Sequence, residues 1–574
     1  MVRRPRDRPR RISHRRGTHC ARRRCGACVL PSCRYTAGTP RSARALVSGT
    51  GVKAPAGTSR RDRPDPPASG VQRPAARVLR TGGRAAPGGS VMSGITAAVL
   101  QTVNTPHIES GAIFVSQAIL LFGLLALVFV ALHTRRSALW WVGAIVHIGA
   151  GALLPYTADM VSFFMIWELI TVGAAIVLVC EPDAHGLLRR YLPWQLLAAA
   201  LLLSGFALHF AESGSVALPA AGVTAGRILI GIAVAIKAAL MPLHLWMVGT
   251  YARVRPGTAV VLSAVATKIG VFGVYRLLPG SISLEILGGI MATVAVLYAL
   301  RQNRLRPFLA FHIISQVGYM IAGVGSAAAA AQIAGLYHLG NHIVYKGLLF
   351  MVVALMVPMT GTPNIYSTRG MGRRSFVLTV AAIAGALSIS GVPPFNGYIS
   401  KSLLQYSLVS PVAIHLLTIA GIGTALSFTK FLWHGFLRPG PLPQAHDVGE
   451  GLIARTGTRT ITVALSLLCL LMGLYPRSFF AELPDSAGIT QQSFESGLVW
   501  PVVGAALFFI LYGPILRVLL VTLPGSTTVM NLLRSAGTRG LQLMQRQHTG
   551  DIRRYLGWAV GGTMLLWTWV LLAP

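Results

Sequence analysis

The stretch that decides the fold is LYHLGNHIVYKGLLF, residues 336–350. It lies within an apolar run of membrane-spanning length, yet His338, His342 and Lys346 follow one another at four-residue intervals. In a helix this spacing places the three side chains on one face. Because an ionised group at the centre of a bilayer costs at least about 3 kcal/mol, three titratable groups on one membrane helix indicate a function that uses their protons.

The whole chain has the composition of a membrane protein. Of its 574 residues, 53% are hydrophobic and 12% are charged, and the mean hydropathy is +0.60. Apolar runs long enough to cross a bilayer recur with short breaks, which predicts an all-α, polytopic bundle of about fourteen transmembrane helices. The runs lie near residues 111–132, 138–156, 159–180, 191–210, 225–245, 257–278, 284–300, 307–326, 331–358, 375–408, 411–437, 460–476, 498–516 and 556–573.

The net charge of +35 would suit a nucleic-acid-binding protein, but the arginines are distributed as in a membrane protein. They recur in alternate loops between the predicted spans. The positive-inside rule makes those loops cytoplasmic and places residues 92–110, which contain no Lys or Arg, outside. We therefore expect a multi-pass protein of the cell (inner) membrane that binds no nucleic acid.

Residues 1–91 differ from the rest of the chain. They hold 22 of the 51 Lys and Arg residues, are rich in Pro, Gly and Arg, and are predicted to be disordered. With residues 92–110 outside, this basic segment would have to be exported across the membrane. We therefore expect an over-extended reading frame with the natural start near Met92, so that residues 92–574 form the membrane domain; a basic nucleic-acid-binding tail is the alternative.

Four of the six cysteines also lie in this segment. A single CxxC pair with two flanking cysteines could hold zinc, but no folded surroundings are predicted that would orient the ligands, which favours a chance cluster. We expect no metal site and no cofactor in this chain. The four residues are Cys20, Cys25, Cys28 and Cys33.

Lysine is rare and confined to particular places. The chain has six lysines against 45 arginines, and apart from Lys53 every lysine falls within or at the edge of a predicted membrane helix. A buried amine can lose its charge, whereas a guanidinium stays protonated. The interior lysines are therefore candidate proton carriers. They are Lys237, Lys268, Lys346, Lys401 and Lys430.

One carboxylate complements these lysines. Glu168 lies in the middle of the apolar run 159–179, and a lysine from another helix, with Lys237 as the candidate, would offset its cost of burial. The alternatives are a purely structural ion pair and, for a single buried histidine, an ordinary interhelical hydrogen bond. Lys430 and His434 are expected to extend toward the membrane interface.

Two of the predicted helices are interrupted beside a lysine. Proline removes a backbone donor, so each of these segments is predicted to be a discontinuous helix. The lysine precedes the first break and follows the second, which fits an inverted repeat. The first break is at Pro242, after Lys237, and the second is at Gly391, Pro393 and Pro394, before Lys401.

The residues resemble a known family, the antiporter-like subunits shared by respiratory complex I (NADH:quinone oxidoreductase), Mrp sodium/proton antiporters and membrane-bound hydrogenases. The resemblance covers about residues 111–437 and rests on six motifs in the family's order. These motifs are FFMIWELITV, IKAALMPLHLW, TKIGVFGVYRLL, LRPFLAFHIISQVGYMIAGVG, GLYHLGNHIVYKGLLFM and SISGVPPFNGYISKSLL.

The resemblance implies a bundle of inverted five-helix repeats with two discontinuous helices and a mid-membrane proton relay. The implied relay contains Glu168, Lys237 in the first broken helix, Lys268 as a connecting lysine, His338, His342 and Lys346 at the centre, and Lys401 in the second broken helix. The sequence also departs from the family. MVGTYARVRPGTAV follows PLHLW where an acidic residue and a histidine are usual, and Glu168 falls on the third predicted crossing rather than the fifth.

These observations lead to one hypothesis and one rival. The chain is predicted to be a membrane subunit that translocates protons, with proton/sodium exchange as a variant, alongside other membrane subunits of a respiratory, hydrogenase or Mrp-type complex. The rival is a non-conducting structural subunit of such a complex. No catalytic or redox motif is present in the sequence, so electron transfer would belong to the partners.

Overall fold

The computed structural model describes residues 110–219, 224–278, 280–440, 452–483 and 491–511. Every regular element in this part of the chain is helical, and its seventeen α-helices are labelled in chain order. They are α1 (Ser110–His133), α2 (Ala138–Leu153), α3 (Met160–Val179), α4 (Ala184–Ser213), α5 (Ala225–Lys237), α6 (Leu245–Tyr251), α7 (Pro256–Leu277), α8 (Ile282–Arg301), α9 (Leu305–Val324), α10 (Ala329–Thr360), α11 (Met371–Arg374), α12 (Phe376–Ser390), α13 (Asn396–Ser407), α14 (Pro411–Leu432), α15 (Leu452–Leu474), α16 (Pro476–Phe479) and α17 (Gln491–Leu511).

The helices confirm the predicted membrane bundle. Ten described helices are long and apolar enough to cross a membrane, and Phe376–Ser390 and Gly497–Leu511 are shorter apolar helices. The predicted runs between residues 111 and 511 all fall on described helices. The last predicted run, 556–573, and the basic segment 1–91 lie outside the described residues.

The order of the helices repeats. Three long helices, an interrupted helix and a further long helix occur in α2–α7 and again in α8–α14. Because each set crosses the membrane five times, the second set begins on the opposite side and is inverted relative to the first. Helices α7 and α9 are buried almost throughout and form the centre of the bundle, as predicted for inverted five-helix repeats.

The first interruption separates α5 from α6. Helix α5 ends at Lys237, and the chain turns through residues 238–244 before α6 begins at Leu245. Trp246 Nε1 donates a hydrogen bond of 2.8 Å to the carbonyl of Ile236, which satisfies one acceptor freed by the break. A Cβ on Gly270 of α7 would lie 2.1 Å from the backbone nitrogen of Ala238, so the turn packs directly on the central helix.

The second interruption separates α12 from α13. Helix α12 ends at Ser390, Gly391 adopts a positive φ of 79°, and α13 begins at Asn396 after the Pro393–Pro394 pair. A left-handed residue after the last helical turn is a common way to end a helix, and glycine adopts it without strain. Both interruptions therefore lie where the prolines predict them.

Two buried carboxylates that the sequence analysis did not identify hold the ends of helices together. Glu181 forms a 3.0 Å ion pair with Arg136 and accepts hydrogen bonds from the backbone of Arg255 and the hydroxyl of Thr258, at the start of α7. Burial lowers the pKa of Arg136, although the Glu181 carboxylate counteracts this effect. On the opposite side of the membrane, Glu285 accepts from the backbone of Ser410, at the start of α14. A carboxylate at a helix N-terminus also interacts favourably with the helix dipole.

Candidate functional site

The three titratable residues of α10 lie in the interior of the bundle. His338 and His342 are fully buried and Lys346 is 1% exposed. Helix α10 is 32 residues long, and its positions from Gly335 to Ala354 are all buried. The face that carries these residues therefore packs against protein and is shielded from lipid.

His338 connects α10 to the second broken helix. Its Nδ1 lies 2.8 Å from Ser400 Oγ of α13, and its Nε2 lies 3.5 Å from Tyr345 Oη. Tyr345 in turn donates a 3.3 Å hydrogen bond to Gln316 Oε1 of α9. A histidine flanked by hydroxyl groups on both ring nitrogens can accept a proton at one nitrogen and release one at the other.

The other two residues of α10 differ from His338 in their contacts. Neither ring nitrogen of His342 has a hydrogen-bond partner among the described residues, and the same holds for Lys346 Nζ. The Lys346 amine lies 5.8 Å from the ring centroid of Phe350, and the His342 ring contacts that of Tyr345 edge-on. Buried polar groups without a protein partner are sites for ordered water, which can also carry protons.

In the first repeat, Glu168 and Lys237 lie close enough to interact electrostatically, but they do not form a direct salt bridge. Lys237 is buried at the end of α5, donates a 2.7 Å hydrogen bond to Thr171 Oγ1 and lies 4.8 Å from the ring centroid of Trp167. No salt bridge joins it to Glu168, whose Oε1 is buried without a hydrogen-bond partner in the described part of the chain. Lys237 instead contacts Trp167 and Thr171, which flank Glu168 on α3.

Two further predicted lysines are bound to backbone carbonyls. Lys268 of α7 donates 2.5 Å to the carbonyl of Ser263, and Lys401 of α13 donates 2.6 Å to the carbonyl of Ile389, in the last turn of α12. The Lys401 amine also lies 4.8 Å from the ring centroid of Tyr319. A carbonyl can accept a hydrogen bond from a charged or a neutral amine, although the bond from the charged amine is stronger.

Lys430 extends toward the loop between α8 and α9, but its side chain is buried in protein along the way. It is 2% exposed, and its Nζ donates to the carbonyls of Leu300 at 3.0 Å and Gln302 at 2.9 Å and to Asn303 Oδ1 at 3.3 Å. These carbonyls lie at the C-terminus of α8, where a cation satisfies free acceptors and the helix dipole. Lys430 thus joins α14 to the end of α8. His434 is buried as well.

The sequence analysis missed two fully buried histidines. His147 of α2 has its Nδ1 3.0 Å from the carbonyl of Ile170, and His312 of α9 has its Nε2 2.6 Å from Ser427 Oγ of α14. His147 is the one titratable residue of α2, and His312 is the one titratable residue between Arg306 and Tyr319 in α9, which was the signal that could have identified them. His312 is part of the quoted motif LRPFLAFHIISQVGYMIAGVG.

The described residues contain no group of three His, Cys, Asp or Glu side chains that could hold a metal ion. The four cysteines that were weighed as zinc ligands lie outside the described residues.

Comparison with known proteins is consistent with this geometry. Residues 157–427 match the family described as NADH:quinone oxidoreductase/Mrp antiporter, transmembrane. A Na(+)/H(+) antiporter subunit from Alkalihalophilus pseudofirmus is 25% identical over 315 residues, 50% of this chain and 63% of that protein. NADH-quinone oxidoreductase subunit N from Desulforudis audaxviator is 28% identical over 357 residues, 56% of this chain and 71% of that protein.

A solved structure shows the same fold. A chain of the Mrp complex from Dietzia sp. superposes with a TM-score of 0.63 at 21% identity, covering 79% of this chain and 54% of that chain. The present chain thus spans somewhat over half the length of that Mrp chain and 63% of the length of the Alkalihalophilus protein.

Proposed function

We propose that the chain is an ion-translocating subunit of a multi-subunit membrane complex, because its residues 157–427 match the NADH:quinone oxidoreductase/Mrp antiporter family. Protons move through the buried lysines and histidines at the centre of the bundle. Partner subunits of a respiratory, hydrogenase or Mrp-type complex supply the driving reaction, and proton/sodium exchange is a variant of the same mechanism. The chain itself contributes no cofactor.

One observation carries this proposal. Among the described residues, none of the interior lysines has a carboxylate within 4.0 Å, and their hydrogen bonds go to hydroxyl, amide or carbonyl oxygens. A paired carboxylate would favour the charged form of a buried amine and so oppose release of its proton. A lysine without one can change its protonation state, which is what a proton carrier requires.

The arrangement of these groups supports a continuous route. Lys346 lies close enough to Lys268 of α7 to interact with it electrostatically, which connects α10 to the first repeat. On the other side, Ser400 contacts His338 and directly precedes Lys401 in α13. Helix α10 thus stands between the two repeats. Two charged amines that interact electrostatically repel one another. A proton gained by one amine therefore favours release of the proton on the next.

The proposal is tested with the complex purified through a tag on this chain and reconstituted in sealed vesicles. Lys268→Met keeps the length of the side chain but cannot hold a proton, so proton translocation should fall at least tenfold while complex assembly is unchanged. Thr267→Val changes a buried polar residue next to it that cannot titrate, and it should leave translocation intact. Full translocation by Lys268→Met would contradict the proposal and favour a structural subunit.

A further inference from the structure

His312 has contacts that the relay described above does not use. It is fully buried on α9, and its Nε2 lies 2.6 Å from Ser427 Oγ of α14. Its Nδ1 has no hydrogen-bond partner among the described residues. The imidazole lies close enough to interact electrostatically with Lys346, Lys401 and Lys430. His312 therefore stands between the centre of the relay and the end of α14.

Beyond His312 and Ser427, polar groups continue toward the cytoplasmic side; His312, Ser427 and Lys430 are called the polar line below. Ser427 also donates a 3.0 Å hydrogen bond to the carbonyl of Thr424, and Lys430 follows three residues later on the same helix face. The Lys430 amine contacts Gln302 and Asn303, in the arginine-flanked loop between α8 and α9. This loop is on the side that the positive-inside rule makes cytoplasmic.

Aromatic rings close the sides of this line. The ring centroids of Phe308 and Phe428 lie 4.8 and 4.7 Å from that of His312. Between these rings, Nε2 of His312 contacts Ser427, and Nδ1 is the nitrogen that remains open to a proton from the relay.

We propose that His312 and Ser427 form a branch that connects Lys346 to the cytoplasmic side within the second repeat. The branch rests on the proposed function, because it extends the same proton relay. A proton moving outward from the relay binds Nδ1 of His312, and Nε2 then releases a proton to Ser427 Oγ. The hydroxyl proton of Ser427 passes at the same time to a water molecule on the side of Lys430, which carries it on to the cytoplasmic side. Movement in the other direction reverses these steps, and the histidine tautomer resets between transfers.

A conservative variant separates proton transfer from packing. In His312→Gln the side-chain amide can still hydrogen-bond Ser427, but it cannot accept and release a proton at neutral pH. Proton translocation by the assembled complex should fall at least tenfold in His312→Gln and to a similar extent in His312→Ala. Rescue by glutamine would show that His312 serves packing only and would overturn the branch.

The accessibility of Ser427 provides a test that does not depend on transport. In a background with all six native cysteines replaced by serine, Ser427→Cys should react at least tenfold faster than Ser263→Cys with methanethiosulfonate ethylammonium added to the cytoplasmic face of vesicles. Ser263 is the matched control, because it is buried and its hydroxyl likewise donates to the carbonyl three residues earlier. A π-helical turn, Trp433–Leu437, continues α14, so that Ser427 lies ten residues before the end of its helical segment. Ser263 lies seven residues after Pro256, the start of α7, and is therefore at least as near its cytoplasmic end. Equal labelling rates would overturn the branch.

Two variants distinguish failure of the proposed function from failure of the branch alone. If Lys268→Met and His312→Gln both translocate protons normally, the proposed function itself is wrong. If Lys268→Met is inactive and His312→Gln is fully active, the relay stands and only the branch is wrong.

Discussion

Lys346 distinguishes a proton carrier from a structural lysine most sharply, because its amine has no hydrogen-bond partner among the described residues. In Lys346→Met the apolar stem is kept and no described hydrogen bond or ion pair of the amine is lost, so the free energy of unfolding should not fall. In Lys346→Arg the charge is kept, but the proton is not released. A guanidinium has a pKa far above 7, so its deprotonation at pH 7 costs about 7 kcal/mol, or about a 10⁵-fold slower transfer.

Both variants should therefore lose at least nine-tenths of proton translocation while the amount of assembled complex stays constant. The assay is proton uptake by sealed vesicles, normalised to the amount of this chain. Leu348→Met, at a fully buried apolar position two residues further along α10, controls for disturbed packing and should be fully active. Near-normal translocation by Lys346→Arg beside an inactive Lys346→Met would show that the charge, and not its release, is needed.

Three further predictions concern single residues. Glu168→Gln should suppress proton translocation, measured in the same vesicles. The amount of folded protein should not change, because no salt bridge with Lys237 is broken. A matching drop in folded protein would show that the carboxylate has a structural role. Lys430→Met should lower the free energy of unfolding by about 3 kcal/mol, since hydrogen bonds from a charged group to three oxygens are lost. Thermal unfolding in detergent measures this, and an unchanged midpoint would contradict it. Glu181→Ala should destabilise by about 3–5 kcal/mol, because Arg136 is left buried without its partner. A midpoint shift no larger than that of a surface substitution such as Glu212→Ala would refute this role.

The sequence was sufficient for the helices and for the two interruptions. Apolar runs predict membrane helices because every backbone group in lipid must be satisfied within its own segment. Prolines beside Lys237 and Lys401 predict the breaks because proline lacks a backbone donor, and α5 and α12 end there as expected. Both inferences depend on local chemistry alone, which one stretch of sequence contains.

Side-chain partners depend on how helices face one another, and here the sequence was less informative. Lys237 contacts Thr171 rather than Glu168, a difference of less than one turn along α3. Lys430 lies near a helix end, where a lysine usually extends to the interface, but the end of α8 offers it buried carbonyls. His312 acquires meaning only from Ser427, 115 residues later in the chain.

The central claim is that this chain carries protons and does more than hold a complex together. Its most direct test replaces Lys237, Lys268, Lys346 and Lys401 together by methionine and measures proton translocation by the complex purified through a tag on this chain. The account predicts that the complex still contains all its subunits. Proton translocation through this chain should fall below one-tenth of the wild-type rate. Undiminished translocation, or failure of the partner subunits to co-purify, would contradict it.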